Sequence, residues 1–457
     1  MAAGQGARMR SSIPKVLHSV AGVPLIRHAT AATRQLAPES TIIVVSPDNQ
    51  GAVSDELGDT FAYAEQPKPL GTGHALAVAL ERVPFSSRNL LLLNGDMPLI
   101  SAEDVAVLAA DHLARKATMT VGFVTLPTAH ATDLGILERG ARGKPIAIVE
   151  AVERKPSKAQ TVDAAIGAYA LDVTWVRGVI DNLQEHASGE RFATDLVAMA
   201  VADGQRVDAV AVDSVREAIG VNTRRQLATA ERVMQDRLRE RAMDEGVTLI
   251  DPSTVYLHAG VVFEPDAVIH PNTSISGASV IGAGSAVGPN AQLTDALIGV
   301  GAIVDAAVVR GATVGDAAQV GPYSLLREGT VLEAGAYVGA HVEIKASRIG
   351  SGAHVGHFSY VGDAIVGENA NIGAGVVTCN FDGVSKQVTQ IGAGAFIGSG
   401  CMLVAPVKIG ANALTGAGAV VNRDVGPGER VAGVPARALG ARRTGAETGH
   451  EGGRSLG

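Results

Sequence analysis

From Ile275 to Val421 an aliphatic residue, often followed by Gly, recurs about every sixth position. The series runs Ile275, Ile281-Gly282, Val287-Gly288, Leu293 and Ile298-Gly299, and after a few five-residue steps Val314-Gly315, Val320-Gly321 and Leu326. It continues with Val338-Gly339, Ile344, Ile349-Gly350, Val355-Gly356, Val361-Gly362, Val366-Gly367 and Ile372-Gly373. One irregular insert follows, then Ile391-Gly392, Ile397-Gly398, Leu403, Ile409-Gly410 and Leu414. A period of six fits neither the helical ~3.6 nor strand alternation. It predicts a parallel β-helix, in which each aliphatic residue points into a common core and small residues turn the corners.

The first half carries a different pattern. Thr41-Ile42-Ile43-Val44-Val45 reads as a buried strand, Leu70-Gly71-Thr72-Gly73-His74-Ala75 opens a helical stretch, and Leu90-Leu91-Leu92-Leu93-Asn94-Gly95-Asp96 is a strand that delivers an Asp at its carboxyl end. Strands alternating with helices indicate an α/β sheet with a ligand site beyond its strand ends. Between the halves, Thr223 to Glu245 spaces Leu227, Val233, Leu238 and Met243 as one amphipathic helix, expected to be a solvated spacer. The expected division is a first domain at 1–222, a linker helix at 223–246, a solenoid at 247–440 and a disordered tail at 441–457, Gly-, Arg- and Glu-rich without periodicity.

Composition agrees with this picture. A chain of 457 residues exceeds one ordinary core. Most of the excess among its 55 glycines lies in the repeats, and 3% aromatic content suits narrow coils filled by Val, Ile and Ala. A net charge of −8 implies no general affinity for nucleic acid or anionic membrane. Cys379 and Cys401 form no metal-ligand pattern; ordinary buried thiols in a reducing cytoplasm are expected. Neither a leader nor an apolar run near ~18 residues is found.

The opening Ala2-Ala3-Gly4-Gln5-Gly6-Ala7-Arg8-Met9, followed by Pro14-Lys15, has the makings of a phosphate loop, with backbone N–H groups and the countercharges Arg8 and Lys15. Taken alone, the G-x-G is weak and a plain loop is the better account; the strands and helices around it strengthen the phosphate-loop reading. Asp96 competes with a turn or helix-cap role, and Asn222 with capping the helix that follows. In the solenoid, Arg327 and Lys345 lie about one coil apart and stack on one face, and His357, Tyr360 and Asn371 follow over the next coil. The insert from Cys379 to about Lys386 breaks the rhythm beside them. Cations for an anion and a His for a general base make this cluster a candidate site.

The N-terminal motifs resemble the sugar-phosphate nucleotidyltransferases. Read with the repeats, the chain is similar, to about residue 440, to the bacterial bifunctional N-acetylglucosamine-1-phosphate uridyltransferase/glucosamine-1-phosphate acetyltransferases. The supporting motifs are A-A-G-x-G-x-R-M, Pro14-Lys15-Val16-Leu17-His18, Leu70 to Ala75, Gly95-Asp96 with Pro98-Leu99, Ile148-Val149-Glu150 and Gly220-Val221-Asn222. In the solenoid they are Val342 to Lys345, Gly356 to Asp363, Asn371 to Gly375, Cys379-Asn380, Asp382-Gly383, Gly398-Ser399 and Leu403 to Pro406.

This resemblance implies an α/β Rossmann-like nucleotidyltransferase domain followed by a left-handed parallel β-helix of hexapeptide repeats. It implies that glucosamine 1-phosphate is acetylated from acetyl-CoA, and that the N-acetylglucosamine 1-phosphate formed is uridylylated from UTP to UDP-N-acetylglucosamine for cell-envelope synthesis. Ala2, Ala3, Gly4 and Arg8 would sit against the nucleotide, with Lys15 on its phosphates. Gln66, Gly71 and Thr72 would read the uracil, Asn94 and Gly95 would line the nucleotide site, Gly135 and Glu150 would meet the sugar, and Asp96 and Asn222 would hold Mg²⁺. In the solenoid, His357 would take the proton of the attacking amine. Arg327 and Lys345 would hold the sugar phosphate, Tyr360 and Asn371 would place the sugar, and Ala374, Asn380, Phe381, Ser399 and Ala417 would lie along acetyl-CoA. Members of this class resemble cytoplasmic homotrimers in which Tyr and Asn on one coil face work against a neighbour's wall.

Several positions depart from the family. An apolar strand precedes A-A-G there, so a start upstream of Met1 is expected, and without that strand two neighbouring edges would lie open. Asp133-Leu134-Gly135-Ile136-Leu137 keeps a Gly but lacks the family's Arg, and Ala165-Ile166-Gly167 lacks its sugar-binding Asn. Phe381 stands for a Tyr, and the ending Gly433-Val434-Pro435-Ala436-Arg437 replaces a late Arg. The departures in the first half leave open an acyltransferase with an impaired first domain. A solenoid scaffold beside a nucleotide sensor is the non-enzymatic reading.

Overall fold

The structure is a computed structural model that describes residues 1–155, 159–212 and 220–439; the stretch 441–457, expected to be disordered, lies outside them. The chain forms two compact units, Met1–Arg237 and Leu238–Gly457.

The first unit is built on a mixed sheet. Its strands lie in the order Val207–Ala211, Met119–Pro127, Thr161–Asp172, Ile136–Arg139 and Pro145–Val149, and Asn89–Leu93 pairs with the second half of Thr161–Asp172. A separate parallel pair joins Ile42–Val45 to Ala62–Glu65. Alternating apolar positions on these strands pack under the helices, with Leu76, Met119, Val121, Leu171 and Leu196 at or near zero exposure. The phosphate-loop candidate starts where the two sheets approach each other: the Ala2 amide donates to Val44 O and the Gly95 amide to Met1 O, both at 2.8 Å. Behind this bridge a cavity of about 510 Å³, lined by Met1, Ile42, Val44, Leu76, Leu91 and Leu93, separates the facing edges of Ile42–Val45 and Asn89–Leu93.

The helix Arg224–Asp244 begins with a capping box. Thr223 Oγ1 accepts from the Gln226 amide at 3.2 Å, and Gln226 Oε1 accepts from the Asn222 amide at 2.9 Å. It is not a solvated spacer. Ala230, Val233, Leu238 and Ala242 are buried, whereas the expected apolar Met243 is exposed. Within the first unit Glu231 accepts from the Ala21 amide and Arg237 donates to Leu99 O; within the second Arg239 donates to Pro252 O. The boundary between the units falls inside this helix.

The second unit is the β-helix, and its short strands stack into three parallel faces of twelve, ten and nine strands; among those described, only the final pair of the twelve-stranded face is antiparallel. Stacking starts at Thr248–Leu249. Ile275, Ile281, Val287, Ile344, Val355, Val361 and Ile397 are fully buried, as the six-residue ladder requires. The rung at Leu414–Thr415 differs. Thr415, not Leu414, points inward, because Phe396 pairs with Leu414 and Ile397 with Thr415. Its hydroxyl accepts from the Gly398 amide at 3.1 Å and lies 3.2 Å from Cys401 Sγ, which satisfies a buried polar group. Cys401 is buried, Cys379 is partly exposed, and both are free. Among the described residues no helix is long and apolar enough to cross a membrane.

Candidate functional sites in the two units

In the first unit the predicted cation and both predicted oxygen donors meet at one point. Lys15 Nζ lies 2.5 Å from Asp96 Oδ2 and 3.0 Å from Asn222 Oδ1. The chain brings them together from a 3₁₀ turn, Lys15–Leu17, from the loop after Asn89–Leu93, and from the residue before Thr223. The capping alternatives do not account for these side chains: Ser101 caps the helix after Asp96, accepting from the Asp104 amide at 3.0 Å, and Thr223 caps the helix after Asn222. Gly220 lies against Asp96, whose Oδ1 would be 3.5 Å from a Cβ there.

Around this point Ala2 and Ala3 are buried, and Gly4 and Arg8 are exposed. Asn49 Nδ2 holds Ala2 O at 2.9 Å. Gln66 is buried and its amide donates to Gly71 O at 3.0 Å, so two of the three uracil candidates are tied to each other. Gly71 has φ +90°, and a Cβ on it would stand 2.4 Å from Arg191 O. Thr72 Oγ1 accepts from the Ala193 amide at 2.9 Å. The Asn94 amide donates to Gly167 O at 3.2 Å.

Gly135 and Glu150 adjoin, both Glu150 carboxylate oxygens lying 3.5 Å from where a Gly135 Cβ would be. Thr194 Oγ1 donates to Glu150 Oε1 at 2.7 Å. Burial pushes the Glu150 carboxyl up, against the pull of the Thr194 bond. Thr194 had no signal in the sequence, since a lone Thr before a helix reads as a cap. Ala165 and Ile166, at the position of the family's Asn, are packed in the core at 7% and 2% exposure, so neither offers an amide to a ligand. Among the described residues no cluster of three or more His, Cys, Asp or Glu forms a metal cage. The Asp96–Asn222 pair nevertheless fits a hard cation, because a carboxylate and an amide oxygen already converge on the positive charge of Lys15.

In the second unit His357 stands exposed at the corner between the twelve- and ten-stranded faces, its ring edge-on to Phe358 at 5.4 Å between centroids. Below it on successive coils come Ala374, Ser399 and Ala417. The Gly375 amide donates to His357 O at 2.9 Å, Gly400 to Ala374 O at 2.7 Å, and Gly418 to Ser399 O at 2.8 Å. The coils touch closely here: a Cβ on Gly373 would lie 2.6 Å from the Ser399 amide nitrogen, and one on Gly398 2.6 Å from that of Ala417. Three of the acetyl-CoA candidates therefore form one column with the candidate base, a grouping that follows from coil length.

Tyr360 opens a strand of the ten-stranded face, and Lys345 ends the strand one coil before it. Arg327 follows one coil earlier and pairs with Glu343 at 2.9 Å. Asn371 is on the twelve-stranded face, paired with His354 and Phe396, so it does not share a face with Tyr360 as expected. The two strands belong to different sides of the coil, with the corner between them. Among the described residues none of Arg327, Lys345, Tyr360 or Asn371 hydrogen-bonds the His357 ring. Asn380 turns toward Tyr360, at 3.5 Å from its hydroxyl, and donates to Asp363 Oδ2, so it belongs with the ten-stranded face rather than with the column. Phe381 and Lys386 close the insert by an antiparallel bridge, the ammonium 4.8 Å from the ring centroid. Asp382 organises its tip by accepting from the Val384 and Ser385 amides, which hold its carboxyl far below the usual range.

The Nucleotidyl transferase family matches residues 1–216, and the family of bacterial transferase hexapeptides (six repeats) matches residues 389–423. A bifunctional protein GlmU of Heliobacterium modesticaldum is 42% identical over 429 residues, covering 94% of this chain and 93% of its own. That of Streptomyces avermitilis is 40% identical over 433 residues, covering 94% and 89%. A third, from Mycobacterium bovis, is 41% identical over 438 residues, covering 94% and 88%.

Proposed function

This chain belongs to the family of bifunctional GlmU proteins, and from that premise we propose how its residues divide two reactions that together make UDP-N-acetylglucosamine. The solenoid, within 247–440, transfers acetyl from acetyl-CoA to glucosamine 1-phosphate. The N-terminal domain, 1–222, transfers uridylyl from UTP to the N-acetylglucosamine 1-phosphate produced. An acyltransferase with a decayed first domain is not favoured, because the likeness extends over 94% of the chain and the first 216 residues match a nucleotidyltransferase family.

For acetyl transfer, His357 accepts a proton from the amine as its nitrogen attacks the thioester carbon, and the CoA thiolate leaves. Arg327 and Lys345 hold the sugar phosphate, Tyr360 and Asn371 position the sugar, and the column Ala374–Ser399–Ala417 runs beside CoA, with Asn380 and Phe381 at its edge. The column is lined by backbone and small side chains, which suits the close approach of an extended cofactor chain. Asn371 lies around the corner from Tyr360 in one chain, so a wall supplied by a neighbouring copy would close the sugar site, and we take the hexapeptide-repeat assembly to be a homotrimer.

For uridylyl transfer, a phosphate oxygen of N-acetylglucosamine 1-phosphate attacks the α-phosphorus of UTP and pyrophosphate leaves. The loop with Ala2, Ala3, Gly4 and Arg8 receives the phosphates, Lys15 supplies countercharge, Gln66, Gly71 and Thr72 read the base, and Asn94 and Gly95 line the site. Gly135 leaves room for the sugar beside Glu150. Asp96 and Asn222 would hold a Mg²⁺ ion, which when bound would add to the neutralisation of the developing charge. The carrying observation is the meeting of Lys15, Asp96 and Asn222 from three distant parts of the chain. With UTP, acetyl-CoA and two sugar phosphates as its substrates, the protein is assigned to the cytoplasm in this reading.

Two assays on the purified protein test this reading. Pyrophosphate is expected from UTP with N-acetylglucosamine 1-phosphate, and free CoA thiol from acetyl-CoA with glucosamine 1-phosphate. Thiol release without pyrophosphate, with Mg²⁺ present, would restore the acyltransferase-only reading.

A further inference from the structure

One loop touches both halves of the proposed nucleotide and sugar site. Its Arg191 carbonyl accepts from the Gly73 amide at 2.8 Å and its Arg191 amide donates to Leu70 O at 2.9 Å, beside the uracil candidates. Three residues on, Thr194 holds Glu150. At the start of the same loop stands His186, folded back by its amide on Glu190 O and packed against Phe192, 4.8 Å between ring centroids. Its Nδ1 lies 2.6 Å from Glu153 Oε1 and its Nε2 lies 2.8 Å from Asp195 Oδ2. The turn carrying Glu150 and Glu153 and the segment carrying Thr194 and Asp195 are therefore cross-linked twice, once by Thr194–Glu150 and once through the imidazole.

We propose that His186 is a positioning residue of the uridyltransferase site, a protonation-dependent clamp that holds the Glu150 turn against the Thr194 segment and so sets affinity for the sugar phosphate. The proposal rests on the uridyltransferase reading above. Only an imidazolium can donate from both ring nitrogens. When neutral, one nitrogen presents a lone pair to a carboxylate, and one of the two links becomes repulsive. The groups facing the ring are Glu153, Asp195 and, further off, Glu150, all acidic. The hydrogen bond to Asp195, then that to Glu153, raises the His186 pKa above its ordinary value. With a raised value the clamp is complete at low pH and is lost as pH rises through it.

The test compares wild type with His186→Gln, whose single nitrogen cannot stand in for both ring nitrogens and does not titrate, between pH 6 and pH 9. The KM for N-acetylglucosamine 1-phosphate, taken as the ratio of variant to wild type to cancel the titration of the substrate, should be about threefold above unity at low pH and fall toward unity at high pH, in keeping with the modest strength of partly exposed pairs. The KM for UTP, kcat and acetyl transfer should not change. A pH-independent ratio overturns the clamp. NMR titration of the His186 ring gives a second, activity-free reading. A midpoint above the ordinary histidine value that falls in Glu153→Gln supports the pairing, and a midpoint unmoved by Glu153→Gln overturns it. If wild type releases no pyrophosphate at any pH, the uridyltransferase reading fails while the NMR result still decides the clamp.

Discussion

Glu150 shows how a single side chain can work against stability. Its carboxyl is pushed up by burial, so the native state binds its proton more tightly than the unfolded chain does. The sign follows: its contribution to stability is full below the unfolded pKa and is lost as pH rises through the folded value, above which an ionised carboxylate is left half-buried. Glu150→Gln keeps an acceptor for Thr194 and removes that charge. We expect the unfolding midpoint of the variant to rise relative to wild type as pH increases, together with slower uridylyl transfer, read by calorimetry across a pH series and by pyrophosphate release. At Gly71 the constraint is steric. Gly71→Ala must relieve a 2.4 Å approach to Arg191 O from a φ of +90°, and should cost about 1–3 kcal/mol in denaturant titration as well as uridylyl transfer. At His357 the position is exposed, so His357→Ala should leave the unfolding midpoint unchanged while acetyl transfer falls by about 10²-fold or more.

At the scale of elements, the coil sets the second site. Ile344 is fully buried between Leu326 on the preceding coil and Val361 on the next, and it directs its neighbour Lys345 outward on the strand Glu343–Lys345. Ile344→Ala opens a cavity in a narrow core and should destabilise the solenoid by about 2–5 kcal/mol. Acetyl transfer should be lost at a lower temperature than uridylyl transfer, because repeat units propagate local disorder to their neighbours. The insert acts differently. Ala364 pairs with Thr389, a longer step than Arg348 with Ile365, so the extra residues leave the stack without disturbing the ladder. Along the linker helix, Ala230 and Val233 are buried before the Arg237–Leu238 boundary and Leu238 and Ala242 after it.

For the whole molecule, the two activities are expected to be separable. Asp96→Asn should abolish uridylyl transfer and leave acetyl transfer intact, and His357→Ala should do the reverse; a single variant at either position that removed both would contradict independent sites. If the assembly is the proposed homotrimer, light scattering should give three times the 46.5 kDa chain mass. A monomer with full acetyl transfer would remove the argument for a shared site.

The ladder of aliphatic residues determined the solenoid by itself, because its contacts recur at fixed spacing and each rung depends only on its neighbours. Motif order likewise identified Lys15, Asp96 and Asn222 as candidates, and coil length put Lys345 one turn from Arg327. Other features needed the fold. That Thr415 rather than Leu414 fills its rung depends on register, which a polar residue with two local partners can shift without breaking the period. Asn371 and Tyr360 are eleven positions apart in the chain, yet a corner turns one onto another face. Thr223 and Ser101 take the capping roles weighed for Asn222 and Asp96, a choice made by backbone direction at each helix start. The meeting of Lys15 with Asp96 and Asn222, and of His186 with Glu153 and Asp195, joins segments far apart in sequence. Such contacts have no period, so only tertiary packing could decide them.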